Sequence, residues 1–439
     1  MPESALYGAQ TQRAVDNFSI SGIPMPKRFI RSLGLIKAAA AKANAELNAL
    51  DDDLADAIFS AAILIADGNY SDQFPVDVFQ TGSGTSTNMN ANEVIATLAS
   101  EQLKRPVHPN DHVNCSQSSN DVIPSAIHLS AMLALEQQLL PSVELLQSAI
   151  KLREEELADQ IKTGRTHLMD AMPLSFSQEL SAWRAQLELG CQRITDTQKR
   201  LCQLAQGATA VGTGVNAPES FSVVFCCILS ELTRYEFIPA HNLFSALSSQ
   251  DTMVELSGQL KVLAVSLMKI ANDLRWMNSG PLSGLGDINL KALQPGSSIM
   301  PGKVNPVVPE AVAMAAAQIM GNDTTVTIAG QSGNFQLNVM LPVIAFTVLQ
   351  SIELAANSCT ALAQTSITDF VVNKANVEAN LARNPILVTA LNKKVGYSKA
   401  AEIAKYAYSE GRPIVDVAAE MTGIDKVCLQ ELLDPKNLV

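Results

Sequence analysis

Between residues 28 and 50, Ile30, Leu33, Ile36, Ala40, Ala43 and Leu47 recur at spacings of three and four, which predicts an amphipathic helix. Short helices are expected next, leading to a Gly-rich loop near Thr81. Residues 125–163 contain no glycine. A helix of that length is predicted, bent at Pro141. Comparable patterns cover residues 177–206, 222–234, 248–277, 309–328 and 334–364, separated by segments rich in Gly, Pro, Ser and Asn. Several long helices in series predict an elongated helical bundle. Residues 373–439 read as short helices and turns, a small third region.

Composition supports this reading. Apolar residues make up 47% of the 439 positions and aromatics only 5%, so the core must be built from Ala, Leu, Ile, Val and Met, mostly strong helix formers. An all-β fold is disfavoured. Lys and Arg number 31 against 43 Asp and Glu, a net charge of −12, and no basic cluster is dense enough to follow a phosphate backbone. Nucleic acid is not expected as a partner. The first ten residues lack a basic segment followed by an apolar one, and no later window approaches about 18 unbroken apolar residues. A soluble, cytoplasmic chain with no membrane partner is expected. The seven cysteines form no Cys-x-x-Cys pair, so free thiols are expected rather than a zinc cage or iron–sulfur cluster.

Four connections, residues 80–90, 107–121, 163–170 and 296–306, are dense in hydroxyl and amide side chains. In the last, Ser297, Ser298, Lys303 and Asn305 lie near the first turn of a helix at Pro309-Glu310. Free N–H groups there, with Lys303, suit a carboxylate or phosphate oxygen and could stabilise a serine alkoxide. A Gly/Pro-rich surface loop would have the same composition. His167 follows a predicted long helix among neutral polar residues, where proton transfer and a structural role are both open. Thr81-Gly-Ser-Gly-Thr85 lacks the Gly-Lys-Ser/Thr ending of a P-loop, which disfavours a nucleotide. His108 and His112 are four apart, but Pro109 argues against the helix they would need to share a metal. Residues 209–215 are expected to let backbones approach closely rather than bind a dinucleotide, since no strand precedes them. No cofactor or metal is expected. A small site for a compact anion, working by side-chain acid–base chemistry, is the reading these loops favour.

Gly296-Ser-Ser-Ile-Met-Pro-Gly-Lys-Val-Asn305 resembles the signature of the fumarase/aspartase superfamily, and within it the class II fumarate hydratases. Similarity runs from Leu6-Tyr-Gly-Ala-Gln-Thr-Gln12 to Leu387-Val-Thr-Ala-Leu-Asn392 and Gly396-Tyr-Ser-Lys-Ala-Ala-Glu-Ile-Ala-Lys405, nearly the whole chain. The resemblance implies an all-α fold of three domains, at 1–119, 120–368 and 369–439, whose central long-helix bundle associates into a homotetramer with active sites shared between subunits. It implies a hydro-lyase interconverting fumarate and (S)-malate in the tricarboxylic acid cycle, with a small dicarboxylate as its partner. Carried over by motif, Ser297 would abstract the C3 proton of malate, and His167, paired with Glu310, would handle the leaving water. Lys303 and Asn305 would hold the carboxylate that becomes an aci-carboxylate, and Ser83, Gly84, Thr85, Ser118, Ser119, Asn120, Thr166, Ser298 and Val304 would complete the pocket. Arg105, His108, Pro109, Asn110 and Asp111 resemble the family's second, shallower dicarboxylate site.

Aspartate ammonia-lyase is the alternative within the superfamily. Aspartases tend to carry Gly-Ala-Gly-Thr and Gln-Ser-Thr-Asn-Asp where this chain has Gly82-Ser-Gly-Thr85 and Gln117-Ser-Ser-Asn-Asp121, and His108-Pro-Asn-Asp111 and Gly333-Asn-Phe335 also look fumarase-like. A non-catalytic helical scaffold is the third reading, and it gives no reason for Ser297, Lys303, Asn305, His167 and Glu310 to occur together. Two departures from the fumarase pattern, Gln336 for the usual Glu and Ala208 for the usual Gly, fall outside the positions assigned to chemistry. Family members carry a longer leader before the Leu6 motif, which leaves open a start further upstream.

Overall fold

The computed structural model describes residues 4–439. It is 66% helical, and every sheet among the described residues has two strands, so the fold is all-α. The long helices are Lys27–Glu46, Thr85–Leu103, Phe176–Leu201, Asp251–Met277, Val307–Gly330 and Leu341–Ala361. The helix predicted at 28–50 is present as Lys27–Glu46, four residues shorter at its end. Leu341–Ile367 is long and apolar enough to cross a membrane by length and composition, but 67% of its apolar window is buried in the protein, as in a core helix.

Three expectations need correction. The helix predicted over 125–163 is two helices, Ser119–Ala134 and Leu140–Glu156, joined by a π-helical turn at Leu135–Leu139. In that turn the Leu140 N–H reaches back to the Leu135 carbonyl just before Pro141, the residue that has no N–H to give. Beyond Glu156 the chain forms a hairpin, Ile161–Thr166 with Met169–Ser175. The helix predicted from 334 begins only at Leu341, because Gly333–Asn334 and Leu337–Asn338 pair as a short hairpin. Finally, Pro109–Val113 does form one helical turn. Proline stands at its first position, where the missing N–H costs nothing.

The chain divides into two compact units. The first comprises Met1–Pro141, Gly190–Ala264 and Ala316–Ala356. In it, helix Lys27–Glu46 packs on Asp52–Ala66, burying Phe29, Leu33 and Ile36 with Leu54, Ile58 and Ile65. With so few aromatics, the two backbones must come close. At Gly34 they do, since a Cβ there would lie 2.6 Å from the Ala66 nitrogen and 2.7 Å from the Ala62 oxygen. Buried Glu93, on helix Thr85–Leu103, accepts hydrogen bonds from the backbone N–H groups of Gly8 (2.9 Å), Gln10 (3.0 Å) and Thr11 (3.1 Å), capping helix Ala9–Asn17 with a negative charge.

The second unit comprises Ser142–Leu189, Val265–Ala315 and Asn357–Val439. Trp183, fully buried, donates its indole N–H to Asp273 (3.3 Å). The short helices after residue 373 have their own apolar cluster, which includes Leu391, Ile403, Val417 and Leu429 and against which Ile161 packs. The hairpin itself bulges at Gly164, where a Cβ would sit 2.5 Å from the Met172 oxygen. Its first strand is held electrostatically at both ends. Arg165 makes two hydrogen bonds to Asp287, at 2.6 and 3.1 Å, and buried Lys162 bonds Glu179 at 2.8 Å and lies 3.4 Å from Asp287.

Two stability predictions follow from this packing. Gly34→Val should destabilise the protein by about 2 kcal/mol, because overpacking against backbone atoms cannot be relieved by side-chain rotation; an unchanged thermal melt would contradict the close approach. Arg165→Met should cost about 3 kcal/mol by leaving the Asp287 carboxylate buried with a weaker partner. Denaturant unfolding of that variant beside Arg165→Met/Asp287→Leu checks it, since the double variant should recover part of the loss.

Candidate active site

The residues singled out from the sequence fall into one group on each unit. On the first unit, Ser83 and Thr85 share a 2.8 Å hydrogen bond between hydroxyls, and Gly84, at φ +72°, lets the chain turn into helix Thr85–Leu103. The loop is pinned from behind by the Leu341 N–H, which donates to the Gly82 carbonyl at 2.9 Å. A Cβ at Gly82 would overlap the Val339 carbonyl.

Ser118, Ser119 and Asn120 stand at the start of helix Ser119–Ala134, in a reciprocal capping arrangement. The Asn120 N–H donates to Ser118 Oγ (3.2 Å) and the Ser118 N–H to Asp121 Oδ1 (2.9 Å). Asp121 Oδ2 also accepts from the N–H groups of Gly207 (3.0 Å) and Thr209 (2.8 Å), so the glycine-rich 207–214 segment is tied to this helix. Asn120 Nδ2 donates to the Ala210 carbonyl at 2.8 Å, and Ser119 Oγ accepts from Asn88 at 2.9 Å.

Behind these residues lie a buried cation and a buried anion. Lys37 is fully buried and donates to Asn114 Oδ1 (3.0 Å) and Gln117 Oε1 (2.9 Å). Burial pulls its ammonium down to about 7, with the Asp121 charge acting in the other direction. Burial likewise pushes the Asp121 carboxyl up to about 7, against the N–H donors of Ser118, Thr209 and Gly207 and the charge of Lys37. Each is held by its own hydrogen bonds, Asp121 by backbone donors and the Lys37 ammonium by amide acceptors.

The residues expected from the resemblance to form a second dicarboxylate site are also on this unit. Arg105 pairs with Asp53. His108 Nδ1 accepts the Asp111 N–H (3.1 Å), and His112 Nδ1 accepts the His108 N–H (2.9 Å), so both rings are oriented by the single turn Pro109–Val113, which also contains Asn110. No cluster of three or more His, Cys, Asp or Glu side chains suited to a metal occurs among the described residues.

On the second unit, the 296–305 loop closes on itself: the Gly296 N–H donates to the Lys303 carbonyl (2.9 Å), and Asn305 Nδ2 donates to the Gly296 carbonyl (2.7 Å). The side chain of Asn305 thus shapes the loop. Within it, Ser297 Oγ accepts the N–H groups of Ile299 (3.2 Å) and Met300 (3.1 Å). Two donors aimed at one hydroxyl oxygen favour its negatively charged form. Ser298 is exposed beside it.

Lys303, Val304, Asn305 and Glu310 line a cleft of about 660 Å³ together with Arg275, Asn278, Ser279 and Asn289. Ser297 and Ser298 are not among the lining residues. Thr166 pairs with Met169 at the end of the 161–175 hairpin, and His167 and Leu168 form its two-residue tip, both at positive φ (+56° and +60°). Such a turn twists to suit the strands but is strained for residues other than Gly and Asn. It holds the His167 ring exposed, and no hydrogen bond joins it to Glu310 among the described residues.

Sequence reading missed Arg275, Asn278 and Ser279, the buried Lys37 and Asp121, and the Arg165–Asp287 anchor. A signal existed for three of them. Lys37 interrupts the apolar stripe one residue after Ile36, and Asn278-Ser279-Gly280-Pro281 is a fifth polar connection at a helix end.

Comparison with known proteins agrees with this architecture. A family model described as lyase matches residues 1–321, and one described as fumarase C C-terminus matches residues 387–439. The chain is 58% identical over 438 residues to fumarate hydratase class II 2 of Pseudomonas aeruginosa, covering 100% of this chain and 96% of that one. It is also 58% identical over 438 residues to the fumarate hydratase class II of Xylella fastidiosa, covering 100% and 93%. The crystal structure of recombinant class II fumarase from Schistosoma mansoni superposes with a TM-score of 0.96 at 37% identity, covering 100% of this chain and 96% of that one. With this likeness extending over the whole chain in both sequence and structure, the protein belongs to the lyase family, among the class II fumarate hydratases.

Proposed function

We propose that this chain hydrates fumarate to (S)-malate reversibly by side-chain acid–base catalysis in the tricarboxylic acid cycle. The observation that carries this reading is Ser297, whose oxygen faces two backbone N–H donors on a loop that also bears Lys303. In the dehydration direction, the Ser297 alkoxide takes the C3 proton of malate, and the C–H electron pair moves into the adjacent carboxylate as an aci-carboxylate. Lys303 stabilises the charge that grows there. Collapse of this intermediate forms the C2–C3 double bond and breaks the C2–O bond, and His167, oriented by Glu310, protonates the departing oxygen as water. Ser83, Thr85, Ser118, Ser119, Asn120 and Thr166 hold the substrate carboxylates. The local features Gly82-Ser-Gly-Thr85 and Gln117-Ser-Ser-Asn-Asp121 favour water over ammonia as the group added.

The same reading makes the working form a cytoplasmic homotetramer built through the long helices, with domains at 1–119, 120–368 and 369–439. Sharing of sites between subunits is supported by His167 standing on an exposed hairpin tip, outside the Lys303 cleft and with no hydrogen bond to Glu310 among the described residues.

Loss of fumarate absorbance, followed with and without ammonium and with and without chelator, tests the activity: hydration should need neither additive, and turnover only with ammonium would make the chain an ammonia-lyase. Ser297→Ala should lower kcat by about a thousandfold or more with a much smaller effect on KM, as expected for a group acting only in the transition state. A folded Ser297→Ala protein with near wild-type kcat would rule out proton abstraction by this serine.

Shared sites have their own test. Ser297→Ala and His167→Asn chains, co-refolded in equal amounts, should regain about one quarter of the sites if the two residues come from different subunits of a symmetric oligomer. Activity of the purified mixture no higher than that of either parent would place both residues in one chain.

A further inference from the structure

We propose that Lys37 is a positioning residue for the substrate-binding helix start at Ser118–Asn120, with Asp121 as its buried counter-charge. The proposal rests on the dicarboxylate reading of that helix start. Lys37 lies on a different helix and reaches the loop only through side-chain amides. Its ammonium holds Asn114 Oδ1 at 3.0 Å and Gln117 Oε1 at 2.9 Å. Asn114 Oδ1 also gathers Asn88 Nδ2 and Asn92 Nδ2, each at 3.2 Å, and Asn88 Nδ2 bonds Ser119 Oγ at 2.9 Å. Gln117 in turn donates to the carbonyls of Val113 (3.1 Å) and Cys115 (3.0 Å), bracing the turn that leads into Ser118. One ammonium thus orders the whole approach to the helix start.

The second role is electrostatic. Asp121 fixes the Ser118 N–H and the 207–209 backbone, but its carboxylate sits in the first turn of the helix that is to receive an anion. Uncompensated, that charge would oppose the helix dipole and repel a dicarboxylate. Asp121 is fully buried, so water cannot screen it. Lys37, equally buried, acts against this by holding the Asp121 carboxyl lower than burial alone would. Burying two charges is costly, and a well-packed apolar pair would give comparable stability. The pair therefore fits a role in orienting the loop and keeping its surface receptive to anions.

Steady-state kinetics of Lys37→Met and of Lys37→Met/Asp121→Asn, alongside succinate binding by calorimetry, test this. Lys37→Met should raise KM about tenfold or more while kcat changes by less than about threefold, because ground state and transition state lose the same carboxylate contacts. The double variant, with no unpaired charge, should bind succinate more tightly than the single one. A folded Lys37→Met protein with wild-type KM, or one whose kcat falls while KM holds, would overturn the proposal, as would a double variant binding no better than the single. Should Lys37→Met not fold, Gln117→Leu keeps both charges and removes one acceptor: its KM should rise about threefold, and an unchanged KM would be as damaging. Wild-type protein that binds succinate without hydrating fumarate would sink the hydratase reading alone, since the binding arm needs no turnover.

Discussion

Buried carboxylates that collect hydrogen-bond donors from distant segments hold the polar loops of this protein in place. Glu93 gathers the N–H groups of Gly8, Gln10 and Thr11; Asp77 those of Ser21, Gly22 and Phe79; Asp121 those of Ser118, Gly207 and Thr209; and Asp287 the guanidinium of Arg165. A loop rich in glycine and hydroxyl side chains has little apolar surface to bury, so packing alone cannot order it. Charge-assisted hydrogen bonds in a poorly screened interior can. At Asp77 these bonds outweigh the effect of burial and keep the carboxyl below its ordinary value.

The helices make this arrangement possible by supplying rigid termini. An Ala-rich, aromatic-poor core packs backbones closely, as at Gly34, and so fixes where each helix ends. Residues proposed for the chemistry lie next to those ends: Ser118 to Asn120 at one helix start, Thr85 at another, and Glu310 in the first turn of a third. Helix starts attract anions through free N–H groups and the dipole, which suits a substrate carrying two carboxylates. The Ser297 loop obtains the same effect without a helix, through the Ile299 and Met300 N–H groups.

His167 depends on another device. Its exposed hairpin tip has two residues at positive φ, and the strain is borne by the strand pairing, by Arg165 on Asp287 and by the Asn384 side chain, which donates to the Ala171 carbonyl at 2.8 Å. The tip is exposed while its base is fixed. Precise placement of the proton-transfer group proposed at His167 requires this kind of support.

The sequence by itself determined the helical class, most helix boundaries to within a few residues, the polar loops and the family, since helical periodicity and motif composition are local properties. The hairpin at 161–175 was beyond it: a six-residue strand with a glycine bulge has no long period to read, and its start merges with the polar end of the preceding helix. What Lys37, Asp121, Arg165 and Asp287 hold was decided by the tertiary structure. A lysine in an apolar stripe marks an unusual position without naming its partners, and an aspartate after Ser-Ser-Asn looks ordinary along the chain. Partners such as Asn114 for Lys37, Gly207 for Asp121 and Asp287 for Arg165 stand 77 to 122 residues away, and only folding brings a buried charge to the donors or acceptors that make its burial tolerable.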